Sequence, residues 1–235
     1  MIGTRHSPVP RNKEEAEKPF WISFSDLMSA LMVLFLVVMG VALLAVTKTV
    51  SDQEQKEKAH EKDILLILER FENAASRHPG VKVDKARYVI DFGSRARFNF
   101  NSSLLDQDQE LVLREFVPEM LVLANDSLGQ RILKRIVVEG YTDTTGSYLQ
   151  NLNLSLQRSQ RVLCALFLNQ GAKVLTVEQK EDVRRLFFVG GYSFNASKAT
   201  AEESRRVEMR LEFLGIDEVR PEPIERQKDF GNCAL

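Results

Sequence analysis

An uninterrupted apolar run near the N-terminus sets the first constraint on this chain. No residue between Leu27 and Val46 is charged. About 20 apolar residues suffice to span the hydrocarbon core of a bilayer as a helix, and this run is too long for the core of a secretory signal peptide. No small-residue cleavage site follows it, because the chain continues into Lys48 and a polar stretch. The run therefore predicts an uncleaved signal anchor, with a transmembrane helix over residues 20–47.

The charges that flank this helix do not decide its orientation. The two flanks carry similar sets of basic residues: Arg5, Arg11, Lys13 and Lys18 before the helix, and Lys48, Lys56, Lys58 and Lys62 after it. Because cytoplasmic flanks normally carry the excess of Lys and Arg, this tie leaves the direction of insertion open. The net charge of the chain is only -1, so no overall field favours nucleic acid or an acidic partner.

Asp26 lies close to the start of the apolar run. A carboxylate in hydrocarbon costs on the order of 2.5 to 3.5 kcal/mol, so such a residue is a functional candidate. Two interpretations stay open. Either Asp26 caps the helix at the membrane interface, or Pro19 and Trp21 mark the true start of the helix. In the second case Asp26 lies roughly 9 Å inside, on a face with Ser29 and Gly40 that favours close helix packing.

The rest of the chain is long enough for one compact domain and a linker. The predicted divisions are a disordered polar tail (1–19), the transmembrane helix (20–47), a linker helix (48–80), the domain (81–216) and a C-terminal tail (217–235). In the domain, the patterns predict strand, helix, strand, helix, strand and strand. This order is typical of an α+β fold in which helices cover one face of a mixed β-sheet.

Local signals predict where several helices begin and end. Residues 51–54 (Ser-Asp-Gln-Glu) have the capping-box pattern, which predicts a second helix starting there. The apolar cluster in residues 64–71 of that helix must pack on a dimer mate or on the following domain. A similar cap at residues 106–109 opens another helix, which Pro118 should kink or end early. Strand 207–213 alternates apolar and charged residues, which predicts one buried face.

The two cysteines, Cys164 and Cys233, leave their redox state open. One alternative is a buried thiol and a free thiol. The other is a disulfide in an oxidising compartment, which would tie the tail to a helix or join two chains. The three histidines lie in tails or linkers and form no cluster, so no metal site or cofactor is expected.

A loop and a helix start carry the recognition chemistry. Asp143 follows a predicted strand, and Arg158 lies in the predicted first turn of a helix that Ser155 caps and that runs to Gly171. A carboxylate that accepts from an amine, with a guanidinium that forks a carboxylate, suits a zwitterion. The alternative is that Asp143 and Arg158 only pair with each other.

This segment resembles the OmpA-like peptidoglycan-binding domain over roughly residues 88–214. The matching residues are Gly140, Tyr141, Thr142, Asp143, Gly146, Asn151, Leu154, Ser155, Arg158, Val162 and Arg205-Arg206-Val207-Glu208. The resemblance implies that Asp143 and Arg158 hold the diaminopimelate of the cell-wall stem peptide, with Thr142 and Asn151 in support. It also implies a periplasmic domain and a cytoplasmic N-terminus. The stretch 191–196 lacks the usual proline-rich loop, which predicts weaker or altered binding there.

The run from Trp21 to Met32 is similar to the single membrane helix of the MotB family of stator proteins, which is likewise followed by an OmpA-like domain. Within that family, residues 19–35 are most similar to the stator component of the Zorya anti-phage system. The resemblance implies an inner-membrane homodimer, inside a ring of MotA-like (in Zorya systems, ZorA-like) subunits. There Asp26 carries protons, steps the ring around, and so signals phage defence.

Three hypotheses follow from these patterns. The first is an ion-conducting stator subunit, anchored to peptidoglycan, that serves anti-phage defence. The second couples the same machine to a flagellar rotor, and the third is a passive tether between membrane and wall. An enzyme is not expected, because no group of residues has the pattern of an acid, a base and a nucleophile. Whether the ion is a proton or sodium stays open, with the proton preferred.

Overall fold

The computed structural model describes the backbone of residues 14–221 and 230–233, and the side chains from Trp21 onwards within those ranges. The chain divides into two compact units, Met1–Lys56 and Glu57–Leu235. The disorder predicted for residues 1–19 falls mostly outside the described residues, although helix α1 (Glu14–Ala75) already begins within that tail. The C-terminal tail is described only as far as residue 221 and over residues 230–233.

In the first unit, α1 is apolar and its side chains are exposed. The helix is long and apolar enough to cross a membrane, with a mean hydropathy of 2.8 in its most apolar window. Its hydroxyl groups bond to the helix's own carbonyls: Ser29 Oγ donates to Ser25 O at 2.8 Å, and Thr47 Oγ1 donates to Leu43 O at 3.0 Å. Such internal bonds suit a hydrocarbon environment, which offers no other acceptors.

The interpretation of Asp26 as a helix cap is wrong. Helix α1 begins at Glu14, well before Asp26, so this carboxylate lies inside the helix. The start predicted at Pro19 and Trp21 is also wrong, because the helix begins at least one turn earlier. The second helix predicted at Ser51 is also wrong, because α1 continues through it without a break. A capping box stabilises a helix start only where N–H groups lack acceptors, and here the preceding turn supplies the carbonyls.

Among its described residues, the second unit contains eleven further elements. They are β1 (Lys82–Asp84), β2 (Val89–Asp91), a 3-10 turn (Gly93–Ala96), α2 (Gln107–Asn125), α3 (Ser127–Ile132), β3 (Leu133–Gly140), α4 (Tyr148–Phe167), α5 (Val177–Leu186), β4 (Phe187–Gly191), α6 (Ala201–Ser204) and β5 (Val207–Phe213). The five strands form one sheet in the order β1-β2-β5-β3-β4, in which β3 and β4 are parallel and the other pairs are antiparallel. The predicted mixed sheet is therefore confirmed. The short elements β1, α3, α5 and α6 were not predicted.

One face of the sheet forms the hydrophobic core. The predicted alternation of β5 is confirmed, because Val207, Met209 and Leu211 are buried in that core. From the end of α1, Ile67 and Phe71 join them and are 0% exposed. The apolar cluster of α1 therefore packs within its own domain, which resolves the choice between a dimer mate and the domain for these two residues.

Helix α2 begins as predicted and runs further than predicted. Asp106 accepts from Gln109 N at 2.8 Å, and Gln109 Oε1 accepts from Asp106 N at 2.9 Å, which completes a capping box. Pro118 does not end the helix early, because α2 continues to Asn125. An interior proline costs about 3 kcal/mol, and burial of Phe116 and Met120, at about 1.5 to 3 kcal/mol each, offsets it.

The opposite face of the sheet is polar, and it contains two buried carboxylates. Glu139 and Glu208 are cross-strand partners there, and both are fully buried. Facing carboxylates repel, so each has its own guanidinium: Arg210 Nε donates to Glu139 at 2.6 Å, and Arg206 Nε donates to Glu208 at 2.8 Å. Burial alone would raise the pKa of Glu208, but Arg206 and Arg87 hold that pKa below its usual value.

A disulfide ties the C-terminal tail to helix α4. Cys164 and Cys233 are joined, with their Cα atoms 5.7 Å apart and a sequence separation of 69. Phe230 packs beside this bridge on Phe167, with the ring centroids 5.1 Å apart. Of the alternatives left open by the sequence, the structure therefore has the bridge within one chain.

Reduction of this disulfide should destabilise the domain. A cross-link closing a loop of this length stabilises a fold by about 4 kcal/mol, chiefly by restricting the unfolded chain. Thermal unfolding of the detergent-solubilised chain, with and without reductant, measures the effect as a lower Tm. The double variant Cys164→Ser/Cys233→Ser is the control and should unfold at the lower Tm in both conditions. An unchanged Tm on reduction of the wild-type chain would contradict the prediction.

Candidate functional site

The candidate residues meet where β3 ends and α4 begins. A Cβ on Gly140 would lie 1.9 Å from Ser155 O, so only glycine lets α4 pack directly against the end of the strand. Helix α4 begins at Tyr148, with a capping box between Ser147 and Gln150. The predicted cap at Ser155 is therefore wrong.

Two further details of α4 differ from the prediction. Arg158 lies in the third turn of the helix and not in the first. The helix ends at Phe167, short of the predicted Gly171. Ser155 is buried inside the helix, where its hydroxyl accepts from Ser193 N at 3.0 Å. It thereby fixes the loop that follows β4.

Asp143 is buried and paired, with only 6% of its surface exposed. Its Oδ2 accepts from Arg205 Nη1 at 3.0 Å, and its Oδ1 accepts from Thr145 N at 3.0 Å. Burial alone would raise the pKa of Asp143, but the Arg205 guanidinium and the Thr145 N–H hold that pKa below its usual value. Asp143 is therefore a charged acceptor at neutral pH.

Arg158 is fully buried and makes no hydrogen bond to Asp143 among the described residues. Its guanidinium donates to three backbone carbonyls: Ser102 O at 2.9 Å, Tyr141 O at 2.7 Å and Asn99 O at 3.2 Å. The simple pairing of Asp143 with Arg158 is thus not what the structure has.

The remaining capacity of Arg158 suits an anion. A guanidinium has five N–H donors, and the three carbonyls leave one N–H on each terminal nitrogen, the two that fork a carboxylate. Burial lowers the pKa of Arg158 to about 10, against the attraction of Asp143, so the group stays charged at neutral pH. A buried cation bonded only to neutral carbonyls favours an anionic partner.

Thr142 and Asn151 complete the cluster. Thr142 is 1% exposed, and its Oγ1 has no hydrogen-bond partner among the described residues. A buried hydroxyl without a partner costs free energy, which a ligand could recover. Asn151 is also buried, and its Nδ2 donates to Thr145 O at 2.8 Å and Ser147 O at 3.2 Å. Asn151 therefore shapes the loop that presents Asp143.

All four candidate residues of the loop and helix border one cavity of about 40 Å³. Its lining residues are Phe100, Asn101, Thr142, Asp143, Thr145, Asn151, Leu154 and Arg158. A cavity of this size admits one charged group and not a whole ligand. Asp26 belongs to the other unit and takes no part in this cluster.

Sequence reasoning missed two contributors. Arg205 was noted only as part of a matching pattern, although it is the direct partner of Asp143. The turn from Asn99 to Ser102 was not assigned, although Arg158 binds it at both ends. The adjacent arginines Arg205 and Arg206 were the available signal for a partner of Asp143. Successive side chains at a strand start point to opposite faces of the sheet, so the two arginines serve different sides.

The region of the cavity matches a known family. The OmpA family model matches residues 97–206, which include all the residues that line it. A relative, the Zorya protein ZorB of Escherichia coli O139:H28 (strain E24377A / ETEC), is 44% identical over 223 residues, 94% of this chain and 91% of the relative. The chain belongs to the ZorB family. The membership covers the apolar helix and the domain together, since the aligned segment is nearly the whole chain.

Solved structures give more distant likenesses to this ZorB-family chain. A periplasmic domain of MotB is 18% identical with a TM-score of 0.39, over 55% of this chain and 65% of that chain, just under two thirds of its length. The peptidoglycan-associated lipoprotein from Burkholderia pseudomallei is 16% identical with a TM-score of 0.33, over 55% of this chain and 92% of that chain. These values are too low to inform the site.

Arg158 should matter for folding as well as for binding. Arg158→Ala removes the side-chain donor to the Tyr141 and Ser102 carbonyls, at about 1 to 3 kcal/mol each, so the free energy of unfolding should fall by about 2 kcal/mol or more. Chemical unfolding of the detergent-solubilised chain measures this loss. Arg161→Ala is a matched control, because Arg161 lies on the same helix outside the cavity lining, and it should lose less. Equal stability of Arg158→Ala and the wild-type chain would contradict the assigned contacts.

Proposed function

We propose that this ZorB-family protein is an ion-conducting stator subunit of a MotA/MotB-type motor. Its OmpA-like domain anchors it to peptidoglycan, and proton flow through Asp26 drives rotation of a surrounding MotA-like ring. In this proposal the rotation signals anti-phage defence. The protein acts as a homodimer in the bacterial inner membrane, with its N-terminus in the cytoplasm and its domain in the periplasm.

The cavity at Asp143 carries the anchoring part of the proposal. It presents a charged carboxylate, an unpartnered Thr142 hydroxyl and the two free N–H groups of Arg158 within one small space. These groups complement the ammonium and carboxylate ends of an amino acid such as diaminopimelate. That diamino acid distinguishes cell-wall stem peptides from ordinary proteins.

The disulfide supports the proposed orientation. Disulfides such as Cys164–Cys233 persist in oxidising compartments such as the periplasm and are rare in the cytosol. A periplasmic domain leaves the N-terminus in the cytoplasm, because one helix crosses the membrane once. The disulfide therefore favours one of the two orientations that the balanced flanking charges left open.

Asp26 carries the ion-conducting part. It lies inside an apolar helix, and the exposed Trp21 on its N-terminal side is a residue type that suits the headgroup level. A carboxylate placed there can take up and release a proton at a cost that partner helices adjust. One charge crossing the membrane is worth about 2.3 kcal/mol per 100 mV, enough to bias a conformational step.

Wall binding should require Asp143. Asp143→Asn keeps the side-chain shape but removes the charge that accepts an ammonium group, so retention on purified diaminopimelate-containing sacculi should fall at least about tenfold. Co-sedimentation of the detergent-solubilised chain measures retention. Asp84→Asn, an acid of the β1–β2 hairpin outside the cavity, is the control and should bind normally. Undiminished sedimentation of Asp143→Asn would mean that the ion pair between Asp143 and Arg205 has only a structural role.

Ion conduction should require Asp26. Asp26→Asn is a neutral isostere that cannot release a proton, so proton flux and phage protection should fall to background while assembly with the ring subunit is retained. Flux into proteoliposomes and plaque counts measure these two outcomes. Asp52→Asn, on the same helix beyond the apolar run, should behave like the wild type. Full activity of Asp26→Asn would leave only a passive tether.

A further inference from the structure

Arg205 is held rigidly beside the cavity. Its Nη1 donates to Asp143 Oδ2 at 3.0 Å and its Nε donates to Phe98 O at 3.1 Å. Its own backbone oxygen accepts from Phe98 N at 2.8 Å, and its N–H donates to Ala201 O at 3.2 Å. The side chain is 17% exposed. Bonds at both the backbone and the guanidinium fix the direction in which Arg205 meets Asp143.

Two guanidinium groups therefore act on the Asp143 carboxylate, one through a hydrogen bond and one through charge attraction alone. Asp143 bonds to Arg205 from the start of β5 and to Thr145 from its own loop, and it attracts Arg158 from α4. Arg158 itself bonds only to carbonyls among the described residues. The cluster is thus one positive charge in excess, in a largely buried place where charges are weakly screened.

This excess charge bears on the kind of ligand. The side-chain end of a diamino acid with a free carboxylate is zwitterionic and adds no net charge to the cluster, whereas the amidated end is a cation and adds to the positive excess. The free carboxylate also brings a negative charge to the open N–H groups of Arg158. The amidated form offers a neutral carbonyl oxygen, which is a weaker partner for a guanidinium.

We propose that Arg205 is a positioning and specificity-determining residue: its bond to Asp143 holds that carboxylate in place, and its charge gives the site the positive excess that selects diamino acids with a free, non-amidated carboxylate. This inference rests on the proposed wall-binding function. It assigns a role to a residue that would not itself need to contact the ligand's ammonium group.

The pH profile separates this role from a merely structural one. Burial of Asp143 favours its protonated form and Arg205 opposes this. The pKa of Asp143 is therefore lowest when Arg205 is present, and binding that needs the charged carboxylate is lost as pH falls through that pKa. Removing Arg205 should raise the acid limit of binding by about one pH unit or more. A general loss of stability would lower affinity without moving this limit in the folded fraction.

The experiment uses the full chain in nanodiscs and isothermal calorimetry over a falling pH series. The probes are a stem tripeptide ending in meso-diaminopimelate and the same peptide with the side-chain carboxylate amidated. The wild-type chain should prefer the free acid by about tenfold or more at neutral pH. Equal affinity of the wild-type chain for the two peptides would overturn the inference, whatever the variants do.

The variants assign the effect to Arg205. Arg205→Gln should raise the acid limit and weaken the preference for the free acid, whereas Arg205→Lys keeps the charge and should stay close to the wild type in both. Arg97→Gln is the control: it removes a neighbouring positive charge that pairs with Glu202 and not with Asp143. Wild-type behaviour of Arg205→Gln in both measures would overturn the inference. Normal binding by Asp143→Asn would instead overturn the proposed function.

Discussion

The buried guanidinium of Arg158 is the interaction on which the candidate site depends. It crosses from α4 to the end of β3 at Tyr141 O and to the turn at Asn99 and Ser102. One side chain thereby links three backbone segments, namely α4, the end of β3 and the turn from Asn99 to Ser102. The Phe98 ring packs against the guanidinium, with its centroid 5.1 Å from the guanidinium carbon of Arg158. The same three bonds leave one N–H group on each terminal nitrogen of Arg158 for a ligand.

The polar face of the sheet extends this support to the other side of β3. Tyr141, next to the site loop, donates its hydroxyl to Glu139 at 2.7 Å, and Arg206 lies 4.1 Å from its ring. Arg205 and Arg206 thus act on opposite sides of the strand start: Arg205 binds Asp143, and Arg206 binds Glu208. Loss of a charge on the polar face would affect the site through Tyr141, because the Tyr141 hydroxyl binds Glu139 and the Tyr141 backbone oxygen accepts from Arg158.

Strong local patterns predicted the apolar helix, the alternation of β5 and the motif residues. Patterns that depend on distant partners were not readable. Ser51 looks like a cap, but the continuous helix before it supplies its acceptors. Ser147 is the real start of α4, yet the buried positions near that start are polar (Asn151, Ser155 and Arg158), so no apolar inner face marks it. The partner of Asp143 is 62 positions away, and the disulfide joins a helix to a tail, so no local window contains either contact.

The proposed anchor can be weighed against the load that the proposed motor would put on it. One proton crossing at 100 mV releases about 2.3 kcal/mol, whereas a domain of this kind unfolds with about 5 to 15 kcal/mol. A single step therefore does not reach the free energy needed to open the fold. The weaker element is the ligand contact, since one small cavity with a few charge-assisted bonds supplies less than the domain does. The binding free energy of the ligand at the Arg158 and Arg205 cluster would then limit the load that the anchor can bear. Each added charge-assisted bond contributes about 1.5 to 3 kcal/mol, which is comparable to the free energy of one proton crossing.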